Sequence, residues 1–349
     1  MIQGKSKTEQ TYRAVNLDSA SSLKDFSVDR KKYFRKHIMN EKMDDSENQA
    51  AVVGRIVETL LLEPEEFDGR FYLSSCLTQP TGLMLDFVEA LYKFSSEATN
   101  DQGVVTRDFE DITEDAYVAS KFKISKEAVL GKFIGSNAQI YYEEIRKVRT
   151  NNLTVVTTKD VTNAERIVEN LKTNPVTKDV INIIDSERYT VLNQLQVENY
   201  EVDGHMFKSM LDKVIVDHKT KTIKPYDLKC TWSVEGFFEE YYLYRKSYIQ
   251  AYLYYKAMVH LTKPGGPFEG YSVDYLKFIV CDSTNYYNPL IYTLSARDMI
   301  EAYEGFDHKG RTYTGVGNII EDLKWALDNN TWNISRTNFE AKGEINIKS

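Results

Sequence analysis

The chain has 349 residues, 42% of them hydrophobic, and a formal net charge of −8. That is enough apolar material for a sizeable core, in one large α/β domain with insertions or in two smaller domains. The negative balance excludes a protein that holds nucleic acid through a globally basic surface, so any contact with a phosphate backbone must be concentrated in one place.

No apolar run reaches the roughly 18–20 residues that a membrane span needs, and the opening MIQGKSKTEQTYR lacks a signal-peptide core, which predicts a cytoplasmic protein without a membrane partner. Cys76, Cys230 and Cys281 are far apart and form no C-x-x-C pair. A disulfide framework, a cysteine zinc site and an iron–sulfur cluster are therefore not expected.

In chain order, residues 1–15 are polar and read as a flexible N-terminus. The segment from Asn16 offers Ser and Asp caps with helical spacing of Leu23, Phe26, Tyr33 and Phe34, giving two short helices. Their other faces carry Lys24, Arg30, Lys31, Lys32, Arg35 and Lys36, a solvated basic surface or a contact for a DNA backbone. A helix follows from about Ser46 to Leu62, ended by Pro64, with Gly54 and Glu58 one turn apart on its edge. Glycine costs about 1 kcal/mol in a helix interior, so close packing or substrate approach is expected at Gly54.

Residues 68–187 read as a mostly helical insertion between 16–67 and a core over 188–330, with a polar tail at 331–349. Within it, Glu143 and Glu144 read as a solvated helix face. Strand patterning begins near Arg188. After the strands, helices are expected over Val234–Arg245 and Lys246–Leu261, a strand over Tyr271–Cys281 with Leu290–Leu294 beside it, and helices over Ala296–Glu304 and Ile319–Asn329.

The most informative stretch is 200–231. It reads as two strands, Phe207–Val216 and Thr222–Lys229, joined by a polar turn. If the loop is symmetric about Lys219 and Thr220, Asp212 lies opposite Asp227. Strand alternation then puts both acids and Lys229 on one face with Met210, Val214, Val216, Ile223 and Pro225. Facing carboxylates on an apolar face are costly without a cation, and a divalent metal is the simplest one. Cys230 turns to the other face as a packing residue. His205 and His218, beside the hairpin, receive no role.

Together the chain carries G-x-x-x-E on a helix, D on a strand, D-x-K on the next strand and Q-x-x-x-Y, Gln250 and Tyr254, on a following helix. This order resembles the PD-(D/E)XK nuclease superfamily, in its RecB-like and lambda-exonuclease-like branch, and within that the phage RecE-type exonucleases (exonuclease VIII). The similarity covers about 17–67 and 200–282. It implies an α/β (α+β) fold, a central mixed sheet flanked by helices.

It further implies that Asp212 and Asp227 are metal ligands together with the Leu228 carbonyl, that Lys229 is the catalytic lysine, and that Gln250 and Tyr254 hold the DNA end. Glu58 stands where RecB-like members often have histidine, and it joins the set as an acid suited to Mg²⁺, for which Mn²⁺ could substitute. The implied activity is exonucleolytic hydrolysis of duplex DNA ends, 5′ to 3′, giving single-stranded tails for recombination. Relatives of this kind form ring-shaped oligomers and work with a single-strand annealing protein. A structure-specific or restriction-like endonuclease of the same fold, or a catalytically silent DNA-binding module, are the alternatives.

Overall fold

The computed structural model describes residues 4–41, 49–76, 79–100, 102 and 104–344. The chain divides into two compact units, Met1–Glu63 with Asn163–Ser349, and Pro64–Thr162. The helical stretch expected over 68–187 is thus divided: the helix Thr158–Thr173 belongs mainly with the sheet-bearing unit.

The first unit is built on a six-stranded mixed sheet. Its strands are β1 (Tyr189–Val202), β2 (His205–Asp217), β3 (Thr222–Thr231), β4 (Ser272–Val273), β5 (Lys277–Asp282) and β6 (Leu290–Thr293). The order is β1-β2-β3-β5-β6, with the two-residue β4 also pairing on β3. The β1/β2, β2/β3 and β5/β6 pairs are antiparallel, whereas β3 and β5 run parallel. A parallel pair needs a crossover. Here the crossover carries the π-helical turn Phe238–Tyr244 and a helix over Ser247–Leu261. The strand expected as one piece over Tyr271–Cys281 is interrupted between β4 and β5.

Helices α1 (Ala20–Val28), α2 (Gln49–Leu62), α3 (Ser247–Leu261) and α4 (Val316–Asp328) accompany the sheet. The predicted start of α2 at Ser46 lies outside the described residues. Leu23 and Phe26 of α1, Leu253 and Met258 of α3, and Ile320 and Leu323 of α4 share one core with Leu192, Leu211, Val214, Val216 and Ile223 of the sheet. The N-terminal stretch is more ordered than its polarity predicts: Gly4 O accepts the Gln196 N–H at 3.0 Å, and Glu9–Arg13 is a helical turn. The expected polar tail likewise contains a short helix, Arg336–Glu340.

The second unit has four main helices, Leu83–Glu97, Phe109–Ser120, Lys126–Phe133 and Asn137–Thr150, around Phe87, Leu91, Ile112 and Phe133. Two short parallel strands, Phe71–Leu73 and Thr154–Val156, complete it. Glu144 is not solvated as its neighbour pattern predicts. It is buried and accepts hydrogen bonds from the Ser75 and Cys76 N–H groups and the Ser74 hydroxyl.

Candidate functional site

The β2/β3 ladder runs Asp217↔Thr222, Val216↔Ile223, Ile215↔Lys224, Val214↔Pro225 and Lys213↔Tyr226, and there it stops. The register expected from the symmetric turn is the one observed, and Asp212 and Asp227 would be the next pair. Instead the strands part, and Asp212 Oδ2 accepts the Leu228 N–H at 2.7 Å. A side-chain carboxylate stands in for the missing ladder carbonyl, which a buried N–H requires.

Strict alternation fails at the same point. Val216 and Val214 face the core, but the next core residue along β2 is Leu211, three positions away; in β1 the same step separates Leu192 from Leu195. Both strands change face around an unpaired Gln194 and Asp212, between the pairs Asn193↔Lys213 and Leu195↔Leu211. Met210 and Asp212 therefore do not share a face with Val214 and Val216 as predicted. A local irregularity of this kind re-aims a side chain without changing the fold.

On β3, Asp227 is 1% exposed. One of its carboxylate oxygens accepts from Gln250 Nε2 at 2.7 Å, and the other forms an ion pair with Lys229 Nζ. The helix α3 thus supplies the neutral donor and β3 the cation. Tyr254, one turn further along α3, donates its hydroxyl to Met210 O at 2.6 Å, so it ties α3 to β2. Its hydroxyl can still accept from a ligand.

Gly54 of α2 meets β3 at Cys230: a β-carbon added at Gly54 would lie 3.2 Å from Cys230 Cβ. Close packing is therefore the reason for this glycine. It lets α2 run near the strand and puts Glu58 one turn on, where Glu58 Oε1 accepts from Gln194 Nε2 at 2.7 Å.

Charge and burial compete throughout. Burial, then the charges of Asp227 and Glu58, raises the Asp212 carboxyl well above its usual range, against Lys229 and the Leu228 N–H. Burial also raises Glu58, with the Gln194 hydrogen bond and Lys229 opposing it and Asp227 reinforcing it. For Lys229 burial works downward, but Asp227, Asp212 and Glu58 together outweigh it and hold the ammonium charged. Burial and the two aspartates raise the Tyr254 phenol.

Lys24 is the residue whose role its sequence context concealed. It lies on α1 with its Nζ 3.5 Å from Gln250 Oε1, and burial together with the Lys229 charge pushes its pKa down to about 7 against the opposing pull of Asp227. It belongs to this site and not to a solvated basic face. Arg30, from the same expected face, pairs with Asp322. Gln194 carried no signal in the sequence, because a glutamine inside an alternating strand looks like any polar position. His205 binds Asp18, and His218 contacts Thr190 and Tyr271.

A cleft of about 1450 Å³ opens beside the site, with Lys229, Gln250 and Tyr254 on its wall. Arg13, Lys24, Lys36, Lys208 and Arg245 line it too, and Asp18 is the acid among its lining residues. In a chain of net charge −8, this concentrates cations in one place.

Among the described residues no three His, Cys, Asp or Glu side chains form a ready-made metal centre. The donor chemistry nevertheless fits a hard cation. Asp212 and Asp227 at the parted strands, with the carbonyl of Leu228, the residue after Asp227, are oxygen donors, and the mutual repulsion of the two acids is what a divalent ion relieves. Glu58, held by Gln194, is the third acid in electrostatic reach.

No family model matches the chain, and no curated protein matches it. Among solved structures it is similar to a "Putative exonuclease" from Eubacterium rectale, at 12% identity and a TM-score of 0.48, over 100% of this chain and 96% of that one. A likeness of that degree identifies neither a family nor an activity.

Proposed function

We propose that the chain is a metal-dependent deoxyribonuclease that hydrolyses phosphodiester bonds from the ends of duplex DNA. The observation that carries this reading is the parting of β2 and β3 at Asp212 and Asp227, with Lys229 and Gln250 closed around Asp227 beside a cation-lined cleft. Asp212, Asp227 and the Leu228 carbonyl would hold Mg²⁺ or Mn²⁺, with Glu58 as an additional acid. The ion supplies Lewis acidity toward the phosphate and lowers the pKa of water.

The protein's own groups do the rest. Lys229 remains protonated and faces the position where negative charge accumulates on phosphorus oxygens. Gln250 fixes the Asp227 carboxylate. Lys24, with its proton loosely held, gains a counter-charge when a phosphate enters, which restores its ammonium form. Asp227 is buried behind this wall and Asp212 and Glu58 are partly exposed, so the duplex backbone would meet the cations of the cleft first.

The motif order from Glu58 to Tyr254 supports the finer reading of a RecE-type exonuclease with 5′-to-3′ polarity, serving recombination together with a single-strand annealing protein. End-labelled linear duplex incubated with Mg²⁺ tests the activity. Wild type should degrade it and Lys229→Ala should not; an inert wild type, or an undiminished variant, sinks the proposal. Covalently closed circular DNA tests the end requirement, since cleavage of the circle identifies an endonuclease instead.

A further inference from the structure

We infer that Gln194 is a positioning residue for Glu58, and that the kink in β1 is maintained to aim that hydrogen bond. The inference rests on the nuclease reading above.

Gln194 lies inside a strand yet has φ +50°, a left-handed conformation that strains any residue with a β-carbon. It is 3% exposed. Its Nε2 donates to Glu58 Oε1 at 2.7 Å, while its own amide oxygen is buried without a hydrogen-bond partner among the described residues. A bulge that needed only left-handed backbone would be served by glycine. The same strand contains such a bulge between Val197 and Tyr200, where the left-handed residue is Asn199, an ordinary choice at an exposed site. At 194 the chain instead tolerates strain and an unsatisfied buried oxygen, and the side chain's hydrogen bond goes to Glu58.

The chemistry of that hydrogen bond is specific. A neutral amide donor fixes the orientation of a carboxylate and leaves its charge intact, whereas Lys or Arg would neutralise it. Asp212 sits opposite Gln194 at the gap in the ladder, so the residue that orients Glu58 and the strand kink at Asp212 are one local feature. Partners that orient a metal-binding carboxylate typically contribute 10–100-fold to affinity or activity.

Three variants of the full chain test this: Gln194→Gly, Gln194→Met, which keeps bulk without the donor, and Asn199→Gly as the control bulge. Melting temperature, Mn²⁺ affinity by calorimetry, and kcat and KM on linear duplex are measured for each. Gln194→Gly should melt no lower than wild type because glycine relieves the φ angle. Its Mn²⁺ affinity and its kcat should each fall about 10-fold or more, with KM for DNA little changed. Gln194→Met should show the same losses, and Asn199→Gly should show none. Wild-type Mn²⁺ affinity and kcat in both Gln194 variants overturn the inference while leaving the nuclease reading intact. A wild type that neither binds Mn²⁺ nor degrades DNA overturns that reading, and the inference with it.

Discussion

Asp212 accepts the Leu228 N–H at 2.7 Å at the point where β2 and β3 stop pairing. The bond explains how a carboxylate that burial and two neighbouring acids disfavour is kept in place: the same oxygen that satisfies the backbone of β3 belongs to the site.

Replacing Asp212 by Asn keeps an acceptor for that N–H and removes the disfavoured charge. The folded-state pKa of Asp212 is raised, so the native protein holds this proton more tightly than the unfolded chain does. Its ionisation therefore subtracts stability as pH rises from about 4, the unfolded value, toward the folded one. Without added metal, Asp212→Asn should be more stable than wild type at pH 7, on the order of 1 kcal/mol, and the difference should vanish near pH 4. Urea unfolding at both pH values measures it, and Mg²⁺ should narrow the gap by stabilising wild type.

Lys229→Ala removes the cation beside Asp227 and with it, on the proposed reading, the charge that would meet the phosphate. Loss of one such stabilising group should lower kcat by about 100-fold or more, with binding of linear duplex largely retained. Single-turnover cleavage together with anisotropy on the same substrate separates the two effects. Lys229→Arg should not restore the rate, because a planar guanidinium does not occupy the place of a compact ammonium.

Lys24→Met should change DNA affinity and pH-dependent stability together. The folded pKa of about 7 lies below the unfolded value, so the unfolded chain binds the extra proton between those values and wild-type stability rises with pH through that window. The variant should lose this rise and be the more stable protein below pH 7. Its affinity for duplex should fall, and the slope of log K against log salt should drop by about 1. Titrations from low to moderate salt decide whether Lys24 meets the backbone.

Tyr254→Phe deletes the hydroxyl that binds Met210 O at 2.6 Å and leaves that carbonyl unpaired. A loss of about 1–3 kcal/mol in unfolding free energy is expected. Contact of the phenol with DNA would add a rise in KM for linear duplex, measured on the folded variant.

How far these residues were legible differs from one to the next. The pairing of Asp212 with Asp227 follows from counting back from the turn, because antiparallel register is set by turn length, and that count matches the ladder up to Lys213↔Tyr226. Gln250 could be read as part of the site from its place in the motif order, but its bond to Asp227 could not, because the approach of α3 to β3 depends on core packing. Lys24 looked like one of six equivalent basic residues, and only the docking of α1 against α3 separates it from them.

Local chemistry determined a great deal: alternation built the long hairpin, turn residues set its register, apolar spacing marked α2 and α3, and Gly54 marked a close approach. Tertiary structure decided the rest. The face change at Gln194 and Asp212 needs two strands to kink together, and a period-2 pattern cannot encode a break that both strands share. The burial that raises the carboxyls of Asp212 and Glu58 depends on helices packed from distant parts of the chain. The sequence by itself therefore names the acids and the lysine, and the fold alone determines which oxygen each one offers, because long-range packing and not local propensity sets where a strand ends its pairing.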